Sequence, residues 1–242
     1  MARTGIIHHF GTFLLLAATV LLIVTCISAP VINDISLMKV DLRTLHVGRF
    51  KRVTFGTFGW CEIADNQADS CSSSRVGYNP ANIMNTIEGT SFSNYAENTT
   101  KALTKAMILH PIACGLNFIA FLLALGAGWV GSLLASLVAA FAFIVTLVVM
   151  ILDFVLFSII KSNVNGDDDD GVFSEGTRAK WGSAIWTTLA AAICSLLAMV
   201  ILFFTCCSAR IHKRRNRNRD LVGEPKNDYG VAAPATRRRR WF

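Results

Sequence analysis

The chain has 242 residues, of which 53% are hydrophobic and 16% are charged, and its formal net charge is +7. A typical soluble domain has about 25% charged residues, and here the residues 4–33, 106–152 and 181–209 contain no Asp, Glu, Lys or Arg at all. This distribution excludes a soluble enzyme, a disordered chain and a small disulfide scaffold. Because a membrane helix needs about 20 apolar residues, it predicts an integral membrane protein with four spans.

The first predicted span covers residues 7–29. An alternative interpretation is a cleaved signal peptide, because Arg3 could form its basic start and small residues near Cys26 and Ser28 could mark a cleavage point. The apolar stretch is longer than the roughly 7–15 residues of a signal core. We therefore predict that this helix is retained in the protein.

The later spans are predicted at residues 107–126, 131–160 and 181–206. With the first span they form a membrane domain of residues 1–209, which is followed by a tail of residues 210–242. The loops 30–106 and 161–180 connect the spans on one side of the membrane. The glycine-rich segment between the second and third spans favours a tight hairpin at the other side.

The distribution of Lys and Arg predicts the orientation. Residues 210–242 contain 11 basic and 3 acidic residues, whereas residues 161–180 contain 3 basic and 5 acidic ones. Basic residues beside a membrane favour the cytoplasmic side. We therefore expect both termini in the cytoplasm and both long loops outside.

Two cysteines, Cys61 and Cys71, are the only ones of seven that lie in a predicted outer loop. Such a pair in an oxidising compartment is normally a disulfide. A metal pair is the alternative, but it lacks the second Cys/His pair of a tetrahedral site. Strand-forming residues at 36–42 and 50–55 add a small β-structure. The predicted fold class is thus an all-α membrane bundle of four helices with a small disulfide-stapled extracellular β-subdomain.

An aromatic–glycine motif leads directly into the first of these cysteines. Its members are Phe55, Gly56, Phe58, Gly59, Trp60 and Cys61. Glycines among large aromatic residues in a strand indicate a bulge or a close backbone approach. Further matching segments are residues 76–78, 109–115 and 153–157. With these motifs the sequence resembles the fungal Sur-seven/PalI family of claudin-like tetraspan proteins, and it leans toward the PalI side. It departs from the claudin pattern because Trp60 adjoins Cys61 directly.

The resemblance implies a non-enzymatic protein of the plasma membrane. PalI-type members are accessory components of fungal ambient-pH signalling, and this is the first function that the resemblance implies. Sur-seven-type members occupy eisosomes, which are static membrane domains that support cell-wall organisation, and this is the alternative. The implied partners are other membrane proteins, either a pH-signalling receptor or a second copy. The sequence contains no catalytic motif, and we expect no cofactor, no metal and no small-molecule substrate.

Asp153 is the only charged residue inside a predicted span. An intramembrane carboxylate usually faces the bundle. It could be a proton- or ion-responsive site, which would also suit a small channel or transporter. We favour a buried structural hydrogen bond, to Asn117 or a Trp indole. His46 and His110 could titrate from outside, but interfacial anchors are the favoured interpretation.

Two outer segments have weaker functional signals. Asn98 begins a glycosylation sequon, and its modification is left open. Residues 167–170 are four consecutive aspartates. They could bind Ca²⁺ weakly, but they lack the spacing of a calcium loop, so we expect a solvated acidic turn.

The tail begins with a basic patch, which we predict to bind anionic lipids of the inner leaflet. Its residues are Arg210, Lys213, Arg214, Arg215, Arg217 and Arg219. The adjacent Cys206 and Cys207 are palmitoylation candidates. Nucleic-acid binding is not expected of a membrane-tethered tail, and the charges could also serve only to set the topology. The tail 210–242 is predicted to be disordered, and residues 237–242 form a second basic patch.

Overall fold

We describe the protein from a computed structural model. The structure describes residues 6–42, 51–64, 68–88, 92–126, 129–165 and 177–222, with the backbone alone at 129–132 and 208–222. His46, the four aspartates at 167–170 and the second basic patch therefore lie outside the described residues. The chain divides into two units, Met1–Cys206 and Cys207–Phe242.

Six α-helices and five short strands make up the described chain. In order they are α1 (Ile6–Cys26), β1 (Met38–Asp41), β2 (Arg52–Phe55), β3 (Trp60–Ile63), β4 (Ser70–Cys71), α2 (Pro80–Glu88), α3 (Asn94–Lys105), a 3₁₀ turn (Ala106–Ile108), α4 (Leu109–Leu125), α5 (Trp129–Val164), β5 (Arg178–Trp181) and α6 (Ser183–Val222).

Four helical segments of the described chain are long and apolar enough to cross a membrane. They are Ile7–Cys26, Asn94–Leu125, Leu133–Val164 and Ser183–Cys207. The predicted number of spans is confirmed, but the boundaries differ. The second segment begins earlier than residue 107, because the polar helix α3 runs through a 3₁₀ turn directly into α4.

The last helix is longer than the sequence analysis predicts. Helix α6 continues to Val222, so residues 210–222 are helical and the prediction of a disordered tail from residue 210 is wrong for them. The physical reason is that Lys and Arg are good helix formers. The first helix-breaking residues after the span are Gly223 and Pro225, and the helix ends just before them.

Small and polar residues hold the helices together. Alanines of three helices are buried in one cluster, among them Ala120 of α4, Ala139 of α5 and Ala198 of α6, and small side chains let helix backbones approach closely. A hydrogen-bond network joins the same three helices. The amide of Asn117 donates to Thr146 Oγ1 at 3.0 Å, and Ser195 Oγ donates to Asn117 Oδ1 at 2.7 Å. The side chain of Asn117 is thus hydrogen-bonded to one residue of α5 and one residue of α6.

The strands form one antiparallel sheet in the order β4-β3-β2-β1-β5. Val40 of β1 pairs with Val53 of β2 on one side and with Ala179 of β5 on the other. Because β5 follows the third span whereas β1 to β4 follow the first, both long loops lie on the same side of the bundle. The predicted β-subdomain is confirmed, and β5 is a strand that the sequence analysis missed.

A disulfide joins Cys61 of β3 to Cys71 of β4, with 4.1 Å between their Cα atoms. The predicted pairing is therefore confirmed. The sheet packs on the bundle through one apolar cluster, in which residues of the sheet meet residues of α5 and α6. Its largest buried members include Leu37, Met38, Phe55, Leu156, Phe157, Ile160 and Ile185.

Three charged side chains connect the neighbouring strands β2, β1 and β5. Asp41 of β1 accepts a hydrogen bond from Arg52 Nε of β2 at 2.6 Å, and Lys180 Nζ of β5 lies 3.0 Å from its other oxygen. Partial burial acts to raise the pKa of Asp41, but the hydrogen bonds and positive charges of Arg52 and Lys180 outweigh it and hold that pKa below its usual value.

We expect this charge cluster to make the sheet less stable in acid. A lowered folded-state pKa means that the stabilisation is present above the unfolded pKa of about 3.9 and is lost as the pH falls through the folded value. The side chains are partly exposed, so Asp41→Asn should cost no more than about 1 kcal/mol at pH 7. Thermal unfolding between pH 7 and pH 2 measures this. The stabilities of the wild type and of Asp41→Asn should become equal at the acid end of this range. A stability difference that stays constant from pH 7 to pH 2 would contradict the stabilising role of the Asp41 carboxylate.

Candidate functional site

The family-like motif forms the hairpin between β2 and β3. The N–H of Gly56 donates to the carbonyl of Gly59 at 2.8 Å and closes the turn. A Cβ on Gly56 would overlap the backbone carbonyl oxygen of Ala29, and a Cβ on Gly59 would lie 2.5 Å from Ser72 Oγ and 3.0 Å from Pro30 Cδ. The glycines of the motif are therefore explained by a close approach of the hairpin to the segment that follows α1.

Hydrogen bonds fasten the same hairpin to the end of α1. Thr57 Oγ1 donates to the carbonyl of Thr25 at 2.8 Å, and the N–H of Thr57 donates to Ser28 Oγ at 3.0 Å. All three residues are buried. Helix α1 and the residues just after it thus supply backbone and side-chain partners to the sheet.

Tyr78 connects the hairpin to the bundle. Its hydroxyl donates to the carbonyl of Gly56 at 2.7 Å, and its ring stacks on Phe55 with 6.4 Å between the centroids. Thr104 of α3 donates to the carbonyl of Tyr78 at 2.6 Å. Burial, and then the nearby charge of Asp153, raise the pKa of Tyr78. The phenol is therefore a neutral donor at physiological pH.

Beneath Tyr78, two ionisable side chains of different helices form a buried pair. His110 Nε2 of α4 lies 3.1 Å from Asp153 Oδ2 of α5, and each side chain is 1% exposed. His110 Nδ1 lies 3.2 Å from the carbonyl of Met107. The other carboxylate oxygen, Oδ1, is buried and has no hydrogen-bond partner among the described residues.

The geometry of this pair specifies its protons. A carbonyl oxygen only accepts, so His110 Nδ1 must carry a proton to bond Met107. When Nδ1 carries this proton, the contact between His110 Nε2 and Asp153 Oδ2 requires a second proton, either on the imidazole as an ion pair or on the carboxyl as a neutral pair. The arrangement can therefore hold one proton between two helices of the bundle.

Asp153 makes a buried hydrogen bond, as predicted, but the partners predicted for it and the predicted interfacial position of His110 are wrong. Asp153 does not bond Asn117 or a Trp indole, because Asn117 is occupied by Thr146 and Ser195. His110 is not an interfacial anchor, because it is buried against Asp153. The two residues are 43 positions apart on different helices, so no spacing in the sequence indicated their contact.

The remaining predicted residues do not belong to this site. Asn98 is exposed on α3, whereas the sequon residue Thr100 is buried and donates to the carbonyl of Glu97. Cys206 is half-buried and Cys207 is exposed. The basic patch of residues 210–219 lies on α6, and its side chains are outside the described part. Among the described residues, no group of three or more His, Cys, Asp or Glu side chains could hold a metal ion.

We expect Tyr78→Phe to weaken the attachment of the hairpin without removing the ring stack on Phe55. The variant loses one buried hydrogen bond and leaves the Gly56 carbonyl unpaired, which should cost about 1–3 kcal/mol. Thermal unfolding of the purified protein measures the loss. Tyr95→Phe is the matched control, because Tyr95 is 81% exposed. Equal stability of Tyr78→Phe and the wild type would contradict the role of the hydroxyl.

The four spans, the single sheet built from two loops and the stapled hairpin define a four-span membrane protein, consistent with a claudin-like tetraspan. The chain belongs to the SUR7/PalI family, whose model matches residues 7–212. The match covers all four spans and the whole sheet.

Several fungal proteins are similar to the chain. It is 34% identical over 116 residues to the pH-response regulator protein palI/RIM9 of Emericella nidulans, covering 48% of this chain and 18% of that protein. It is 27% identical over 220 residues to palI/prr-5 of Neurospora crassa, covering 87% and 26%. It is 31% identical over 101 residues to the uncharacterized membrane protein TOS7 of Saccharomyces cerevisiae, covering 42% and 15%. The chain thus spans only a small part of the length of these relatives.

Proposed function

We propose that this protein is a non-catalytic accessory component of ambient-pH signalling at the plasma membrane. The relatives named as pH-response regulators support this assignment. The observation that carries it in the structure is the buried pair His110–Asp153, whose carboxylate interacts electrostatically with Tyr78, the residue that bonds the family-like hairpin. Histidine is the side chain whose charge changes near neutral pH, and a pair that holds one proton suits a response to pH.

The contacts around the pair support a route from a proton to the outer sheet. Loss of the shared proton at alkaline pH would leave the carboxylate of Asp153 unneutralised, and an uncompensated buried charge is strongly unfavourable. Tyr78 is the further titratable side chain that interacts with Asp153, and it holds the carbonyl of Gly56. A change at the pair would therefore be transmitted through Tyr78 to the motif hairpin.

The proposed orientation places the sheet outside the cell and both termini in the cytoplasm. The disulfide between Cys61 and Cys71 supports this, because disulfides persist in oxidising compartments. The basic residues after the last span support it too. In this orientation the patch at 210–219 would contact anionic lipids, and the partners would be other membrane proteins, such as a pH-signalling receptor or a second copy.

Growth at alkaline pH tests the function. A strain without the gene should grow normally at acid pH and fail at alkaline pH, and the wild-type gene should restore growth. Asp153→Asn and His110→Gln keep the side-chain shapes but remove the titrating groups, so each should reach the cell surface and fail to restore growth. Ile112→Leu, which changes an exposed residue of α4, is the control that should restore it.

The results separate the rival functions. Normal alkaline growth of the deletion strain would overturn the pH-signalling role. Immobile cortical patches of the tagged protein would then favour the eisosome-type organiser that the family name also allows. A change of ion flux in Asp153→Asn would favour a channel or transporter. If both Asp153→Asn and His110→Gln restore growth at alkaline pH, the His110–Asp153 pair is not needed for pH signalling, although the protein still takes part in it.

A further inference from the structure

A groove opens on the sheet-bearing subdomain, and Tyr78 is among the residues that line it. It has a volume of about 560 Å³ and lies between β3, the segment after β4, and helix α2. Small-molecule sites have volumes of roughly 300–1,000 Å³. The groove is therefore of a size that holds a small ligand or a short segment of a polymer.

The lining combines an aromatic face with hydrogen-bonding groups. Trp60 is half-buried in the wall of the groove, and Ile83 and Ile87 of α2 add an apolar surface. The polar groups are the Glu62 carboxyl, the Arg75 guanidinium and the Asn82 amide. An indole offers a flat apolar face, while carboxylate, guanidinium and amide groups bond neighbouring hydroxyls.

The polar groups of the groove retain bonding capacity. Glu62 makes no hydrogen bond or ion pair to the other described residues, and burial raises the pKa of its carboxyl. The guanidinium of Arg75 has five N–H donors. Its Nη2 donates to Ser73 Oγ at 3.1 Å. Glu62 is a partly exposed carboxyl without a partner among the described residues, and it can accept hydrogen bonds from the hydroxyl groups of a ligand.

The charges of the groove select the class of ligand. Glu62 and Arg75 are its two charged side chains among the described residues, and their opposite signs favour neither an anion nor a cation. We propose that the groove binds a neutral saccharide segment of a glycan, with one sugar ring stacked on Trp60 and its hydroxyls bonded by Glu62, Arg75 and Asn82. This proposal goes beyond the pH-signalling function and does not depend on it.

Such a saccharide could come from a structural polysaccharide or from the glycan of a glycoprotein. Purified full-length protein in detergent is therefore titrated with laminarihexaose, chitohexaose and mannohexaose, and binding is followed by calorimetry. Binding of the glucose or N-acetylglucosamine hexamer points to a polysaccharide, and binding of the mannose hexamer points to a glycoprotein. We expect one hexamer to bind, and Glu62→Gln and Asn82→Ala each to weaken binding about tenfold.

Trp60→Ala should abolish binding, but Trp60 also packs against the buried cluster of the sheet. The other two variants avoid this difficulty, since Glu62 and Asn82 lie outside that cluster. The matched controls are Tyr95→Ala, an exposed aromatic outside the groove, and Asp34→Asn, an exposed acid outside it. Both should bind as the wild type does. Failure of all three hexamers to bind, or binding unchanged in Glu62→Gln and Asn82→Ala, would overturn the proposal.

Discussion

Gly56→Ala is expected to prevent the sheet from docking on the end of helix α1. The added methyl group would overlap the backbone carbonyl of Ala29, and a backbone atom cannot turn away as a flexible side chain does. The hairpin would have to move, which would break the bonds from Thr57 to Thr25 and Ser28. Overpacking together with the loss of two buried hydrogen bonds should cost about 3 kcal/mol or more.

Thermal unfolding of the purified protein in one detergent measures this effect, together with the yield of protein that reaches the cell surface. Gly115→Ala on α4 is the matched control, because no atom lies within 4 Å of the position of its Cβ. We expect the control to unfold within about 1 kcal/mol of the wild type. A Gly56→Ala protein as stable as this control would show that the hairpin does not approach Ala29 so closely.

The second large effect is expected at the buried pair. His110→Leu leaves Asp153 with both oxygens unpaired in an apolar cluster, and breaking a buried pair from one side costs about 3–5 kcal/mol. Asp153→Leu should also be unfavourable, because it leaves His110 Nε2 without its partner. The double variant should be more stable than the sum of the single losses predicts, since a buried pair replaced by apolar residues is often nearly neutral.

A double-mutant cycle on unfolding free energies measures the coupling directly. A coupling energy of at least about 1.5 kcal/mol would confirm that the two side chains act as a unit. Ile112→Leu combined with Asp153→Leu provides the reference cycle, because Ile112 is exposed on the same helix. Additive losses at His110 and Asp153 would contradict the pair.

The spans and the disulfide were predictable because their signals are local. Uncharged runs longer than a bilayer width reveal membrane helices, and Cys61 and Cys71 were the only cysteines in an outer loop. The glycines of the motif also predicted that the backbone of the hairpin lies close to another segment, but the sequence did not identify that segment. The approach to Ala29 depends on where the chain leaves α1, which is a property of the folded bundle.

The partner of Asp153 and the strand β5 were not predictable in the same way. Whether two residues on different helices meet depends on helix rotation and crossing, and His110 gave no periodic signal of facing α5. Strand β5 is only four residues long, and two of the four, Arg178 and Lys180, are charged, which is more typical of a loop. Its pairing with β1 is a long-range contact that no local propensity describes.

The order of the strands has a consequence for how the protein is made. Strand β1 lies in the interior of the sheet, but β5, its neighbour on one side, is synthesised only after the third span. Until then β1 presents an open edge, and unpaired edges invite association with other chains. During biogenesis the five-stranded sheet therefore stays incomplete until three of the four spans have been translated. A nascent chain stalled before residue 178 should be retained by quality control, whereas one that extends past the fourth span should be released.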